Sequence, residues 1–308
     1  MGIRRDIEYD PAPPPGRMSS AQIYAEPRVV TDMSECLFYH TMELPGYGTV
    51  EGLFDLRAGA REYLGGIDLA GKRVLEIGTA NGFLCFHMER CGAEVVAYDL
   101  SDAERWDFVP FANGRAADAE REHRANGDKL RNAYWLAHRL YGSRARVVYG
   151  TVYDVPAAIG PVDVTTFGCV LLHLRDPVRA LERALALTRE QVVVTELLTG
   201  WLRPLAKLWG PAPVRRAVPG WSTSLRALSR LQSRNPVLLP DARRGGPTET
   251  WWALSPPLVR RLLGILGFER TRLTFHFQRH LGRLTPMFTV VGERTRGSRP
   301  AAALTGRG

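Results

Sequence analysis

With 308 residues, 45% of them hydrophobic, the chain is long enough for one large α/β domain with a cap, or for two modest domains. It has no run of about 18 apolar residues, so no transmembrane helix is expected, and its N-terminus, MGIRRDIEYDPAPPPGRM, has charge but no apolar stretch, so no secretory signal is expected. The net charge is +9, and nine basic residues against one acid (Asp241) between Trp201 and Gly246 account for nearly all of it, so the basicity belongs to one segment.

Residues 1–30 begin Pro-rich and without period, which predicts a loose tail leading into an N-terminal cap. Cys36 to Arg57, CLFYHTMELPGYGTVEGLFDLR, is dense in His, Tyr, Phe and Gly; it suits a pocket lining or a surface loop packed by its own aromatics. From Lys72 the pattern sharpens. KRVLEIGT reads as a strand broken at Gly78, FLCFHMERCG as a helix closed by Gly92, and AEVVAYDL as a second strand ending at Asp99. A long connection, 101–144, becomes helical at LRNAYWLAHRLYG. RVVYGTV and VDVTTFGCVLL are strands three and four. DPVRALERALALT is a helix with Asp176 as N-cap and Pro177 opening it, and QVVVTELL is strand five. After the basic segment, Ser255 and Pro256 start another helix, followed by strands RLTFHF and PMFTVVG with a loop of about eight residues between them. Two strands with no intervening helix must pair antiparallel. Five alternations of strand and helix predict a doubly wound, Rossmann-like α/β sheet of seven strands closed by that pair.

The chemistry centres on Glu76-Ile-Gly78-Thr79-Ala80-Asn81-Gly82, between a strand and a helix, with Asp99 ending the next strand. Gly78 allows a sharp turn and close backbone approach, Gly82 allows close helix–strand packing, and Asp99 can accept from both hydroxyls of a ribose. The spacing is not GxGxxG. Glu-x-Gly-x-x-x-Gly, with Asp99 and the terminal antiparallel pair, resembles motif I of class I S-adenosylmethionine-dependent methyltransferases. FYHTMELPGYGTVEGLFDLR, VLEIGTANGFL and GCVLLHLRDPVRALE, within residues 36–195, are similar to the branch containing the tRNA wobble-uridine carboxymethyltransferase and many small biosynthetic methyltransferases. The resemblance implies S-adenosylmethionine as methyl donor, S-adenosylhomocysteine as product, and donor-binding residues Glu76, Gly78, Thr79, Ala80, Asn81, Gly82, Asp99, Leu100, Val152, Tyr153 and Gly168, with Asp154 equally readable as a turn residue. The wobble enzyme holds a carboxylated cofactor with a lysine and a tyrosine. Here no lysine precedes Lys72 and Leu172 stands in the tyrosine's place, so the unmodified cofactor is expected.

Methyl transfer to a hydroxyl needs alignment and a proton acceptor, which a neutral histidine supplies. His173, just past strand four, is the first candidate base and His40 the second. Tyr39, Trp251, Trp252 and His276 are candidate acceptor contacts. No His/Asp/Glu set has metal-site spacing, so no metal is expected. Cys36, Cys85, Cys91 and Cys169 also lack metal spacing and read as reduced thiols of a cytoplasmic protein. The expected organisation is a tail and cap over 1–70, a cofactor-binding core over 71–197, a basic helical lid inserted over 198–250, the rest of the core over 251–293 and a disordered tail over 294–308. Within the lid, SLRALSRLQSR reads as a helix with Leu225, Leu228 and Leu231 on one face and Arg226, Arg230 and Arg234 on another. Its charge fits a solvated face, a pocket for an acidic or phosphorylated acceptor, or a surface for RNA or an anionic membrane. The expected function is methylation of a small-molecule acceptor, O-methylation of a sugar or natural-product scaffold, with a tRNA-modifying methyltransferase as the alternative.

Overall fold

A computed structural model describes residues 23–113, 115–208, 221–241, 243 and 248–296. The start of the expected N-terminal tail (1–22), the end of the expected C-terminal tail (297–308), and Arg215, Arg216 and Arg244 of the basic segment lie outside the described residues.

The cap opens with a short hairpin, β1 (Met42–Leu44) and β2 (Gly48–Val50), then β3 (Phe54–Asp55) and one turn of helix, α1 (Ala60–Tyr63). The core follows: β4 (Arg73–Ile77), α2 (Phe83–Arg90), β5 (Glu94–Asp99), α3 (Arg115–Tyr141), β6 (Arg146–Tyr149), β7 (Val162–Gly168), α4 (Pro177–Leu185) and β8 (Thr188–Leu197). The inserted segment carries α5 (Leu202–Leu208), α6 (Trp221–Ser229) and β9 (Val237–Leu238), which pairs with β10 (Trp252–Ala253). The chain returns to the core with α7 (Pro256–Ile265), β11 (Arg270–His280) and β12 (Arg283–Glu293).

The main sheet runs β3-β11-β12-β8-β7-β4-β5-β6. Strands β4 to β8 are mutually parallel, and β12 lies antiparallel to both β8 and β11. Eight strands replace the expected seven because β3 adds two residues to the outer edge, Phe54 and Asp55 pairing with His280 and Arg279. Each parallel strand is covered on both faces: Leu75 and Ile77 pack into one core cluster and Val74 into the other, and Val192 and Val194 oppose Val193 in the same way. Burial on both faces explains why these strands read as unbroken apolar runs.

Local signals set the core helices. Asp176 Oδ1 accepts from Arg179 N (3.0 Å) ahead of α4, and Ser255 Oγ accepts from Leu258 N (3.3 Å) ahead of α7, each with Pro in the first turn. Three expectations are corrected. The 101–144 connection is helical from Arg115, not only from Leu130; its first half is polar all round and held by charge pairs such as Arg124–Glu120, so it has no apolar period to read. Strands β11 and β12 meet across Leu281 and Gly282, both at positive φ (50° and 71°), instead of an eight-residue loop; the polar strand ends pair all the way to His280–Arg283. Helix α6 ends at Ser229, so Leu231 does not continue the buried face of Leu225 and is exposed.

The order reverses at β4, which has β5 on one side and β7 on the other. The carboxyl ends of such neighbours open a crevice where α/β sheets bind ligands.

Candidate active site

The loop from β4 to α2 lines that crevice. Gly78, Ala80 and Gly82 all have positive φ (79°, 51° and 84°). At Gly82 a Cβ would sit 2.5 Å from the Phe86 ring and 2.7 Å from Tyr134, so glycine is required for packing as well as for backbone conformation. Asp99 closes the loop from β5: its Oδ2 accepts from Ala80 N and its Oδ1 from Leu100 N, both at 2.7 Å. Ala80 and Leu100 thus act by holding this carboxylate. One lone-pair direction on each oxygen remains for a ligand, which fits the two vicinal hydroxyls of a ribose. Burial raises the Asp99 pKa, while the two N–H donors and the Arg131 guanidinium oppose the rise.

Glu76 is buried at the end of β4, where Thr79 Oγ1 donates to it at 2.7 Å. Burial pushes its pKa up to about 8. It borders a cavity with His40, Tyr63, Gly78, Gly168 and Thr195. At Gly168 a Cβ would meet the Tyr63 hydroxyl at 2.9 Å, so the phenol of α1 occupies the space that glycine leaves. A buried carboxyl, a glycine-lined backbone and a ribose-sized acceptor pair suit a ligand with an amino group at one end and a nucleoside at the other, which is the chemistry of S-adenosylmethionine.

The Asn81 side chain faces the cap. It accepts from His40 N (2.9 Å) and donates to His40 O (3.0 Å), clamping the cap segment onto the loop. Its Oδ1 therefore accepts from His40 Nδ1 as well (3.1 Å), which puts the ring proton on Nδ1 and a lone pair on Nε2. Burial depresses the His40 pKa to about 4. Tyr39 stands edge-on to His40, with ring centroids 4.9 Å apart. Its phenol pKa is raised by burial first and then by Cys169, Glu249 and Glu196.

His173 ends a 3₁₀ turn, Leu171–His173, just past β7. Its Nδ1 lies 2.5 Å from the carbonyl oxygen of Glu249. A carbonyl only accepts, so Nδ1 carries the proton and Nε2 the lone pair. Burial lowers the pKa of this histidine. Trp106 stands edge-on to it at 5.4 Å, and the Trp106 indole N–H is buried without a hydrogen-bond partner among the described residues.

The expected acceptor walls divide. Trp251 N donates to Leu172 O (2.9 Å), and Trp252 Nε1 to Leu174 O (3.0 Å), so both tryptophans wrap the turn that carries His173. His276 is buried, with Nε2 against Thr289 Oγ1 (2.9 Å) and Nδ1 against Gln278 Nε2 (3.0 Å), and is not among the residues that line the Glu76 cavity. Its polar residues tie α1 to the sheet, since Thr289 and Thr195 both donate to Tyr63 O. Tyr153 follows Val152 in a 3₁₀ turn. Its hydroxyl is held by Asp107 and by Asp176 N, while Tyr153 N and Asp154 N donate to Thr151 Oγ1 and Thr151 O within the turn.

Sequence reasoning missed Glu196, Tyr63, Trp106 and Asp107. Glu196 carried a signal, an acid in the apolar run VVVTELL. It is buried at the end of β8, accepts from Leu171 N at 3.0 Å, and so pins the turn bearing His173. Burial raises its pKa to about 8. Glu76 and Glu196 therefore keep protons in the folded state that the unfolded chain releases above its ordinary carboxyl range. Their contribution to stability is full below that range and is lost as pH rises through about 8. The thermal midpoint of the ligand-free protein is expected to fall from pH 6.5 to 8.5, and Glu196→Gln to flatten the fall; an unchanged slope in the variant would show that Glu196 is ionised throughout.

Among the described residues, no group of three or more His, Cys, Asp or Glu could hold a metal ion, and no helix is long and apolar enough to cross a membrane.

Comparison with known proteins adds to this geometry. A family model described as a methyltransferase domain matches residues 52–234. Similar solved structures include magnesium protoporphyrin IX methyltransferase from Synechocystis PCC 6803 with bound S-adenosylhomocysteine (13% identity, 78% of this chain and 82% of that one, TM-score 0.43). The N-terminal domain of EvdMO1 in the presence of S-adenosylhomocysteine and D-fucose shares 16% identity over 85% of this chain and 93% of that one (TM-score 0.44). The 1,6-didemethyltoxoflavin-N1-methyltransferase of Burkholderia thailandensis shares 14% identity over 78% of each chain (TM-score 0.46). No curated protein matches.

Proposed function

The chain belongs to the methyltransferase-domain family, as a class I S-adenosylmethionine-dependent enzyme, and on that premise we propose that it methylates a hydroxyl of a small-molecule acceptor, a sugar or natural-product scaffold, with His173 as the base. When bound, S-adenosylmethionine supplies an electrophilic methyl carbon on a sulfonium. Asp99 would accept from the ribose hydroxyls, Glu76 would hold the amino group, and the backbone of Gly78–Gly82 would line the remainder of the site. His173 Nε2 would receive the acceptor's hydroxyl proton as the oxygen–methyl bond forms and the methyl–sulfur bond breaks, leaving S-adenosylhomocysteine, and the imidazolium would be held by its Nδ1–H bond to Glu249 O. The Trp106 indole N–H, buried and without a partner among the described residues, would donate to a second oxygen of the acceptor if the site opens to it.

The observation that carries the proposal is the tautomer of His173: a neutral imidazole, oriented through Nδ1, with its Nε2 lone pair unpartnered among the described residues at the carboxyl edge of the sheet. His40 shares the tautomer, but a pKa near 4 makes it a weak base and suits it to lining the donor cavity. The proposal keeps the protein in the cytoplasm, supported by four cysteines that are all free thiols.

The test is transfer of labelled methyl from S-adenosylmethionine to a panel of hydroxylated glycosides and phenols, with bulk tRNA as a parallel acceptor. Ether-linked label on a small molecule is the expected result. Label confined to tRNA, or to amines, would overturn it.

A further inference from the structure

The inserted segment combines two surface features. The buried sides of α5 and α6 (Leu202, Ala206 and Leu225) join the core. Exposed cations flank those buried residues, Arg203 and Lys207 on α5 and Arg226 on α6, with Arg230 just past the end of α6 and Arg234 exposed further along. Among the described residues none of these five forms an ion pair, although ion pairs occur at many other places on the surface. The same segment also exposes large apolar side chains: Leu208, next in sequence to Lys207, and Leu231, next to Arg230, are 75% and 73% exposed, and Val237 and Leu238 both 54%. Trp201 and Leu239 are exposed as well. These six are nearly half of the thirteen exposed large hydrophobics of the described residues, gathered in one short stretch, so chance scatter does not account for them.

Unpaired cations alone would suit any polyanion. Exposed aliphatic side chains among them do not suit nucleic acid, which offers phosphates and base faces but no acyl phase. The boundary of an anionic bilayer takes both, with head groups for the arginines and acyl chains for the leucines. The face also adjoins the site: β9 pairs with β10, Leu239 N donates to Trp251 O (2.8 Å), and Trp251 N donates to Leu172 O in the turn that carries His173.

We propose that the outer face of the inserted segment, Arg203, Lys207, Arg226 and Arg230 with Leu208, Leu231, Val237 and Leu238, is a docking surface for an anionic phospholipid bilayer. The cations lie at the head-group level and the aliphatic side chains enter the acyl boundary. Docking is peripheral and reversible, and it does not depend on which acceptor is methylated.

The experiment is flotation of the full-length protein with vesicles of phosphatidylcholine alone and of equal parts phosphatidylcholine and phosphatidylglycerol. Flotation is expected with phosphatidylglycerol only. The bound fraction is expected to fall about tenfold or more in Val237→Ser/Leu238→Ser, whose changes lie on the surface, and also in Arg203→Ser/Lys207→Ser. Each variant is first checked for an unchanged thermal midpoint. Absence of flotation with either vesicle would overturn the proposal. So would flotation that survives the aliphatic substitutions but is competed away by tRNA, which marks a general polyanion site. A dimer in solution that Leu238→Ser dissociates would also overturn it, because a second copy would then cover the face.

Discussion

Replacing His173 with Ala is expected to lower the methyl-transfer rate by about 10²–10⁴-fold while leaving S-adenosylhomocysteine affinity within about twofold. The split follows from position. His173 sits in the turn beyond β7, bonded to Glu249 O and edge-on to Trp106, and it does not border the cavity shared by Glu76 and Gly78. The pH profile gives a second reading. Burial lowers the His173 pKa, so the wild-type rate should rise on an acid limb below the ordinary histidine range and be flat at neutral pH. In His173→Ala that limb should disappear. A near-normal rate, or a limb that persists, would make transfer a matter of alignment alone. Glu196→Gln should act through the same turn, because the amide oxygen can still accept from Leu171 N; a small change in rate is expected there, against a large one in Glu196→Ala.

Asp99→Ala is expected to weaken S-adenosylhomocysteine binding by about 1.5–3 kcal/mol, roughly 10- to 150-fold, the cost of losing charged hydrogen bonds to two hydroxyls. The effect is compounded locally. With the carboxylate gone, Ala80 N and Leu100 N lose their acceptor, and Ala80 must hold its positive φ without that tether. Asp99→Asn keeps one acceptor oxygen and should fall between the two. Affinity that does not change in Asp99→Ala, measured by titration, would show that the ribose lies elsewhere.

The frame of both predictions is legible in the sequence. Glu76, Gly78, Gly82 and Asp99 can be read because a strand, a turn and a helix follow each other within a few residues, and local periodicity marks such boundaries. Asp176 and Ser255 are legible as caps for the same reason: a cap is satisfied two or three residues away. What escapes is set by distant partners. Glu196 earns its place through Leu171, 25 positions away, and Tyr63 through Gly168 and Thr195, contacts that only the finished sheet creates. His276 reads in the sequence as a candidate acceptor contact, and its ring partners, Thr289 and Gln278, are set by strand pairing and by α1, whose Tyr63 carbonyl accepts from the Thr289 hydroxyl. The eighth strand is two residues long, too short for any alternation to show. The basic segment's composition is plain from the sequence, whereas the exposure of its leucines is not, because the expected apolar face ran past the real end of α6.

The most direct measurement is calorimetric titration of the purified full-length protein with S-adenosylhomocysteine, repeated with bulk tRNA present. The account predicts saturable, micromolar, single-site binding that tRNA does not alter. Absence of saturable binding would contradict the crevice of Glu76, Gly78 and Asp99 as the donor site, and binding that appears only with tRNA would contradict the small-molecule acceptor.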